Sequence, residues 1–140
     1  MSIDLSYLLT PPLAWLTAGS AKFAINSLRL RRPAFGLIGY GGLPSNHSTI
    51  VCSMAALVGL NEGIAHPAFG VALTLAVIVM LDAASLRRQV GRQAAAINRL
   101  ARGDQAHTTL RERMGHTLTE IGAGILTGGL VAWCMHRAFH

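Results

Sequence analysis

The sequence has few charged residues, few aromatic residues and only two cysteines. Of its 140 residues, 13% are charged and 6% are aromatic, whereas about 25% of the residues in a typical soluble domain are charged. Hydrophobic residues make up 51% of the chain, which excludes a disordered protein, because disordered chains are polar and highly charged. Cys52 and Cys134 both lie within apolar runs, so they form neither a disulfide scaffold nor a zinc-binding motif.

The few charges that are present are strongly unbalanced. Twelve Lys and Arg residues stand against six Asp and Glu residues, which gives a net charge of +6. A hydrophobic chain with a basic excess is typical of a membrane protein or a nucleic-acid binder. The basic residues lie between long apolar runs, which favours the membrane protein and leaves little exposed surface for nucleic acid. We expect residues 1–140 to form a single integral-membrane domain.

Four apolar runs predict an all-α, polytopic membrane helix bundle with about four principal spans. A membrane-spanning helix needs about 20 residues, so each run reaches that length only with the polar residues at its ends. The predicted spans are Leu5–Leu28, Ser45–Asn61, Pro67–Leu86 and Thr117–His136. We expect Pro11 and Pro12 to kink or break the first helix. The spacing of Gly124 and Gly128 predicts close packing of the last helix, and so small a bundle is compatible with a homodimer.

The third connection contains a basic, amphipathic segment. Over Ala84–Arg102 apolar residues recur at helical spacing, so we expect a helix that continues the third span into the cytoplasm or lies on the membrane surface. Gly103 and Asp104 are expected to end this helix.

The distribution of basic residues predicts the topology. If the spans alternate in direction, the first and third connections lie on one face of the membrane, and together they hold 11 of the 12 basic residues. These are Lys22, Arg29, Arg31, Arg32, Arg87, Arg88, Arg92, Arg99, Arg102, Arg111 and Arg113. The positive-inside rule makes that face cytoplasmic, which predicts a multi-pass protein of the inner (plasma) membrane.

Two histidines on the basic face are candidates for chemistry. Pro44-Ser45-Asn46-His47 follows a glycine-rich turn at residues 39–42 and opens a helix, and helix N-termini are ready binding sites for phosphate. A structural role for His47 is an equally good interpretation of this segment alone. His116 and Glu120 are four residues apart, so we expect them to share a helical face on which the carboxylate orients the imidazole.

This set of groups indicates phosphate chemistry. Cations hold and neutralise the phosphate oxygens, an oriented imidazole attacks phosphorus, and a second imidazole protonates the leaving group. A metal site built from His47, Asp82, His116 and Glu120 is disfavoured, because the surrounding arginines would repel a divalent ion. We therefore expect no metal and no cofactor.

The motifs resemble those of the divergent branch of the type 2 phosphatidic acid phosphatase superfamily. These are small membrane proteins related to acid phosphatases and vanadium-dependent haloperoxidases. The first motif of the superfamily is Lys-x6-Arg-Pro, which Lys22 and Arg29 match with Leu30 in place of proline. The second is Pro-Ser-Gly-His, which Pro44–His47 matches with asparagine in place of glycine.

The third motif of the superfamily ends in His-x3-Asp. His116 and Glu120 keep this spacing with a longer acid, and the arginine that precedes the motif falls on Leu110. The divergent branch typically contains Asp-Ala-Ala-x-x-Arg-Arg, which matches Asp82–Arg88. The resemblance extends over about Lys22 to Gly128.

The resemblance implies a metal-independent phosphatase with a phosphohistidine intermediate. His116 would be the nucleophile, Glu120 would orient it, His47 would protonate the leaving oxygen and Asp82 would have a supporting role. The implied phosphate ligands are Lys22, Arg29, Ser45, Asn46, Arg87 and Arg88. The expected substrate is a phosphorylated glycerophospholipid at the cytoplasmic leaflet, such as phosphatidylglycerophosphate or phosphatidic acid. The alternatives are a polyprenyl (di)phosphate phosphatase and a non-catalytic protein that binds or transports a lipid phosphate.

Overall fold

Helices account for all the regular secondary structure in the described part of the chain. The computed structural model describes residues 5–35, 42–103, 108–112 and 114–140, and within these residues there is no β-strand. The helices are α1 (Ser6–Leu30), α2 (Asn46–Asn61), α3 (Pro67–Leu81), α4 (Arg87–Leu100) and α5 (Leu118–Phe139). The predicted all-α fold is confirmed. Part of the glycine-rich turn (Gly39–Gly41), Asp104 and Arg113 lie outside the described residues.

A single turn of π-helix, Asp82–Leu86, joins α3 to α4. The two helices therefore form one continuous helix of 34 residues, Pro67–Leu100. Of the two arrangements predicted for the basic amphipathic segment, the structure has the one in which it continues the third helix.

Of the two outcomes predicted at the prolines of α1, a kink or a break, the break is wrong. The helix continues through Pro11 and Pro12 to Leu30. Every fourth residue on one face of α1 is buried, namely Ser6, Thr10, Ala14 and Ala18. This face packs on α2 and α5, and such packing between neighbouring helices compensates for the backbone hydrogen bonds that prolines remove.

Small residues bring α2 and α5 into close contact. A Cβ atom at position 124 would lie 2.8 Å from the carbonyl oxygen of Ser45, and one at position 128 would lie 2.6 Å from the carbonyl oxygen of Thr49. The facing side of α2 consists of buried hydroxyl residues, Ser48, Thr49 and Ser53. The close packing predicted for Gly124 and Gly128 is confirmed, and it follows the small-residue pattern of helix pairs in membranes.

Polar contacts fix the directions of three helices. At one end of the bundle the Ser45 N–H donates to the Glu120 carbonyl oxygen at 3.0 Å. At the opposite end Asn61 Oδ1 lies 2.7 Å from His136 Nδ1, so α2 and α5 are parallel. Tyr7 donates to Glu62 at 2.7 Å at that same opposite end, so α1 is antiparallel to α2.

Two helices are long and apolar enough to cross a membrane. Among the described residues these are Pro67–Leu100 and Leu118–Phe139, by length and composition. Helix α2 has 16 residues, fewer than the approximately 20 that a bilayer core requires. The prediction of about four spans is thus supported for two of them.

Substitution of Gly128 by alanine is expected to destabilise the protein. The new methyl group would overlap Thr49 and Ser53 of α2, and such overpacking costs about 1–3 kcal/mol. Gly129→Ala is the matched control, because a Cβ atom there meets nothing within 4 Å and alanine favours the helix. Thermal unfolding in detergent should give a lower midpoint for Gly128→Ala only. Equal midpoints for the two variants would contradict the packing argument.

Candidate active site

Three segments meet at one end of the bundle. They are the first turn of α2, the π-helical turn together with the first residue of α4, and the segment from His116 to the first turn of α5. Together they carry His47, Asp82, Arg87, His116 and Glu120. The connection from α1 to α2 and the segment from α4 to α5 therefore both end at the same face of the bundle.

The imidazole of His116 is buried and paired with a carboxylate. The residue is 8% exposed, and its Nδ1 lies 2.8 Å from Oε2 of Glu120. Because an ionised carboxylate only accepts hydrogen bonds, the ring proton lies on Nδ1. The lone pair of Nε2 is then available to act as a base or a nucleophile.

The expectation that His116 and Glu120 share a helical face is wrong, although the two side chains are in contact. His116 precedes the N-cap residue Thr117, and α5 begins at Leu118. Thr117 and Glu120 form a capping box, in which the Thr117 N–H donates to Glu120 Oε2 at 3.2 Å and the Glu120 N–H donates to the Thr117 hydroxyl at 3.2 Å. One carboxylate oxygen thus caps the helix and orients the imidazole.

The π-helical turn holds the backbone of His116. The Arg87 N–H bonds to the carbonyl oxygen of Asp82, five residues back, instead of to that of Ala83. The carbonyl oxygen of Ala83 accepts from the His116 N–H at 3.0 Å, and the Arg88 guanidinium donates to the His116 carbonyl oxygen at 3.4 Å. Residues of the Asp-Ala-Ala-x-x-Arg-Arg stretch therefore bind both the N–H group and the carbonyl oxygen of His116.

Glycines allow the segment before α5 to lie against α4. Gly115 has φ +92°, and a Cβ atom on it would lie 3.1 Å from the backbone nitrogen of Arg88. A Cβ atom on Gly91 would overlap the carbonyl oxygen of Glu112. Asn98 of α4 pairs with the backbone of Leu110, donating at 2.8 Å and accepting at 2.9 Å. These contacts fix the chain that leads into His116.

His47 lies beside His116 and contacts Arg87. The centroids of the two imidazole rings are 5.9 Å apart, and Nη2 of Arg87 lies 3.0 Å from His47 Nε2. A guanidinium has no acceptor, so Nε2 accepts and the ring proton lies on Nδ1. That nitrogen is buried and has no hydrogen-bond partner among the described residues. Asp82 Oδ2 lies 3.5 Å from Nε of the same arginine.

The predicted cations fall into three different places. Lys22 is half-buried and close enough to interact electrostatically with both His47 and Glu120. Arg29 is exposed on the last turn of α1 and has no polar contact with the described residues. Arg88 is committed to the carbonyl oxygen of His116. Of the arginines predicted to bind phosphate, Arg87 is therefore the one whose guanidinium contacts a histidine ring.

Ser45 and Asn46 have distinct positions. Ser45 is fully buried as the N-cap of α2, where its hydroxyl accepts from the Ser48 N–H at 3.4 Å. Asn46 lines an open groove of about 530 Å³ along α1. The other lining residues are Trp15, Leu16, Gly19, Ser20, Lys22, Phe23, Asn26, Ala34 and Phe35.

Two contributions to the site were missed by sequence reasoning. The Thr117-x-x-Glu120 capping box was visible as a sequence pattern, whereas nothing in the sequence indicates that a π-helical turn presents the Ala83 carbonyl group. Within the described part of the chain, no three His, Cys, Asp or Glu side chains are grouped so that they could hold a metal ion.

Comparisons with known proteins identify the family of the chain. The family described as the Divergent PAP2 family matches residues 3–131. The uncharacterized membrane protein YuiD of Bacillus subtilis (strain 168) is 35% identical over 107 residues, which cover 65% of this chain and 68% of that protein. No solved structure matches the chain significantly. The match over nearly the whole sequence confirms the resemblance drawn from the motifs, and the chain belongs to the Divergent PAP2 family.

Proposed function

We propose that the protein is a membrane-embedded, metal-independent lipid-phosphate phosphatase that acts through a phosphohistidine. The observation that carries this proposal is the 2.8 Å contact between His116 Nδ1 and Glu120 Oε2, with the His47 ring beside it. A protein that only binds or transports a lipid phosphate needs cations but no carboxylate-oriented imidazole. Membership of a PAP2 family supports the same reaction class.

In the first step, Nε2 of His116 attacks phosphorus and forms a P–N bond while the bond from phosphorus to the lipid oxygen breaks. Glu120 stabilises the positive charge that develops on the His116 ring, because its carboxylate holds the Nδ1 proton. Protonated His47 gives its Nε2 proton to the leaving oxygen. In the second step, water attacks phosphorus, His47 accepts a proton from that water, and the P–N bond breaks to release phosphate.

The contact between Arg87 and His47 connects phosphate binding to this acid role. Without phosphate, His47 Nε2 accepts from the guanidinium, so that nitrogen carries no proton. The oxygens of a phosphate are stronger, charged acceptors for arginine. When the phosphate oxygens accept the hydrogen bond from Arg87 in place of His47, Nε2 of His47 is free to become protonated. Lys22 supplies a second positive charge on the same site, and Asp82 holds Arg87.

For the membrane arrangement, we propose that α1, α2, the α3–α4 helix and α5 all cross the bilayer, with the active site at the cytoplasmic face. The support is the concentration of basic residues at the end of the bundle that carries the histidines. A phosphorylated glycerophospholipid of the inner leaflet, such as phosphatidylglycerophosphate or phosphatidic acid, is the substrate that fits this position. A homodimer stays a prediction.

Replacement of His116 by alanine should lower phosphate release from lipid phosphates by at least about a thousandfold, because it removes the nucleophile. Glu120→Gln should lower kcat by a smaller factor, since glutamine keeps the capping box but not the charge that stabilises the ring. Glu62→Gln, at the opposite end of the bundle, is the matched control and should retain activity. Phosphate release by purified protein in detergent is the measurement. Full activity of His116→Ala would rule out the mechanism.

Replacement of His47 by alanine should have an effect that depends on the leaving group. General acid catalysis contributes about 10²–10⁴-fold, and good leaving groups need it least. The ratio of kcat between wild type and His47→Ala should therefore be large for an alkyl phosphate lipid and small for an aryl phosphate or a diphosphate. A ratio that is the same for all three substrates would assign His47 to binding instead of proton transfer.

The topology predicts which end of the bundle water-soluble reagents reach from outside the cell. Gln93 on α4 and Ile64 in the connection from α2 to α3 are both exposed, and they lie towards opposite ends. In a background without Cys52 and Cys134, an impermeant thiol reagent added to intact cells should label a cysteine at position 64 and spare one at 93. Labelling of position 93 alone would place the active site outside the cytoplasm.

A further inference from the structure

We infer that the groove along α1 binds a hydrocarbon chain of the lipid whose phosphate enters the His47–His116 site. This inference rests on the proposed function, because it assumes that the ligand is a lipid phosphate. It adds the position of the apolar part of the ligand and the residues that select for it.

The groove is lined by apolar residues and by two polar residues that border the active site. Trp15 and Leu16 form one part of its wall, with 54% and 53% of their surfaces exposed. Lys22 and Asn46 also line the groove. Asn46 is adjacent to His47 in sequence, and Lys22 interacts electrostatically with His47 and Glu120. Through these two residues the groove adjoins the histidine site.

This combination fits an amphipathic anion. A phosphate beside Lys22 would be matched in charge, whereas the wall from Trp15 to Gly19 offers only apolar surface and small residues. A water-soluble phosphate ester would use the cation and leave the apolar wall unoccupied.

The direction of the chain follows from the direction of α1. The helix runs from the end marked by Tyr7 and Glu62 towards the active site. Trp15 therefore lies further from the active-site end of the bundle than Lys22 does. The rings of Phe23 and Phe35, whose centroids are 5.2 Å apart, also line the groove. A headgroup at Lys22 therefore directs its chain towards Trp15.

The length of the groove limits how much of the chain it holds. Trp15 and Lys22 are seven residues apart, which is about 10 Å along a helix axis. One leaflet of a bilayer has a hydrocarbon depth of about 15 Å. The groove thus accommodates the part of the chain nearest the headgroup and leaves the remainder in the surrounding lipid, in agreement with its open shape.

Fluorescence quenching of Trp15 tests the inference without any catalysis. The sequence has two tryptophans, and Trp133 on α5 does not line the groove. In a Trp133→Phe protein in detergent micelles, phosphatidic acid brominated in mid-chain should quench Trp15 at a mole fraction about tenfold lower than phosphatidylcholine with the same chains. In the Trp15→Phe protein, Trp133 should respond equally to the two lipids. Lys22→Gln should remove the preference at Trp15.

Quenching of Trp15 that is equal for the two brominated lipids would overturn the inference, because the groove would then be ordinary lipid-facing surface. Quenching by neither lipid would also overturn it, since an occupied groove places bromine against the indole ring. A second copy of the chain in the groove would produce that second result.

A substitution in the groove gives a kinetic test. A Cβ atom at Gly19 meets nothing within 4 Å, so leucine fits there and fills the groove. Gly19→Leu should lower kcat/KM for a long-chain phosphatidic acid about tenfold more than for a short-chain one, because several methylene groups lose their contacts. Gly129→Leu, which also meets open space, should lower both equally or not at all. Equal losses in Gly19→Leu would overturn the inference.

The two proposals fail in different ways. If no lipid phosphate is hydrolysed but Trp15 still prefers the phosphorylated lipid, the phosphatase function is wrong and the chain-binding groove stands. If phosphate is released with the same dependence on chain length in the Gly19→Leu and wild-type proteins, the phosphatase stands and the groove assignment is wrong.

Discussion

The close contact between α2 and α5 is the constraint on which the candidate site depends. Gly124 and Gly128 have no side chain to separate the helices, so the backbones approach until the Ser45 N–H reaches the carbonyl oxygen of Glu120 at 3.0 Å. That contact places the first turns of two parallel helices side by side. His47 belongs to the first turn of α2 and His116 lies directly before the first turn of α5, so their 5.9 Å separation is a consequence of the helix packing.

The second constraint is the position of the His116 backbone, which is not part of any described helix. The residue lies just outside α5, and its N–H and carbonyl groups are bound by Ala83 and Arg88 of the continuous α3–α4 helix. The π-helical turn matters because it redirects a carbonyl group that an α-helix would use internally. The backbone of His116 is bound by the α3–α4 helix and its ring by Glu120 of α5, so the imidazole is held in one position.

Much of the fold and part of the candidate site were predictable from residue spacing. The all-α fold, the close packing at Gly124 and Gly128, and the pairing of His116 with Glu120 all depend on residues near one another in sequence, and the structure contains each of them. The spacing rule gave the correct pair for the wrong reason, since the two residues meet through a capping box and not along a helix face. Of the kink or break predicted at Pro11 and Pro12, the break does not occur, because α1 packs along one buried face against α2 and α5.

The sequence by itself determined which residues are available at the basic end of the bundle: two histidines, an acid at four-residue spacing and a group of cations. Only the tertiary structure decided which cations face the histidines. Lys22 and Arg87 do, whereas Arg29 remains exposed and Arg88 binds a backbone carbonyl group. Spacing along the chain fixes neighbours within one helix, but the orientation of an arginine towards a residue on another helix depends on how the helices pack.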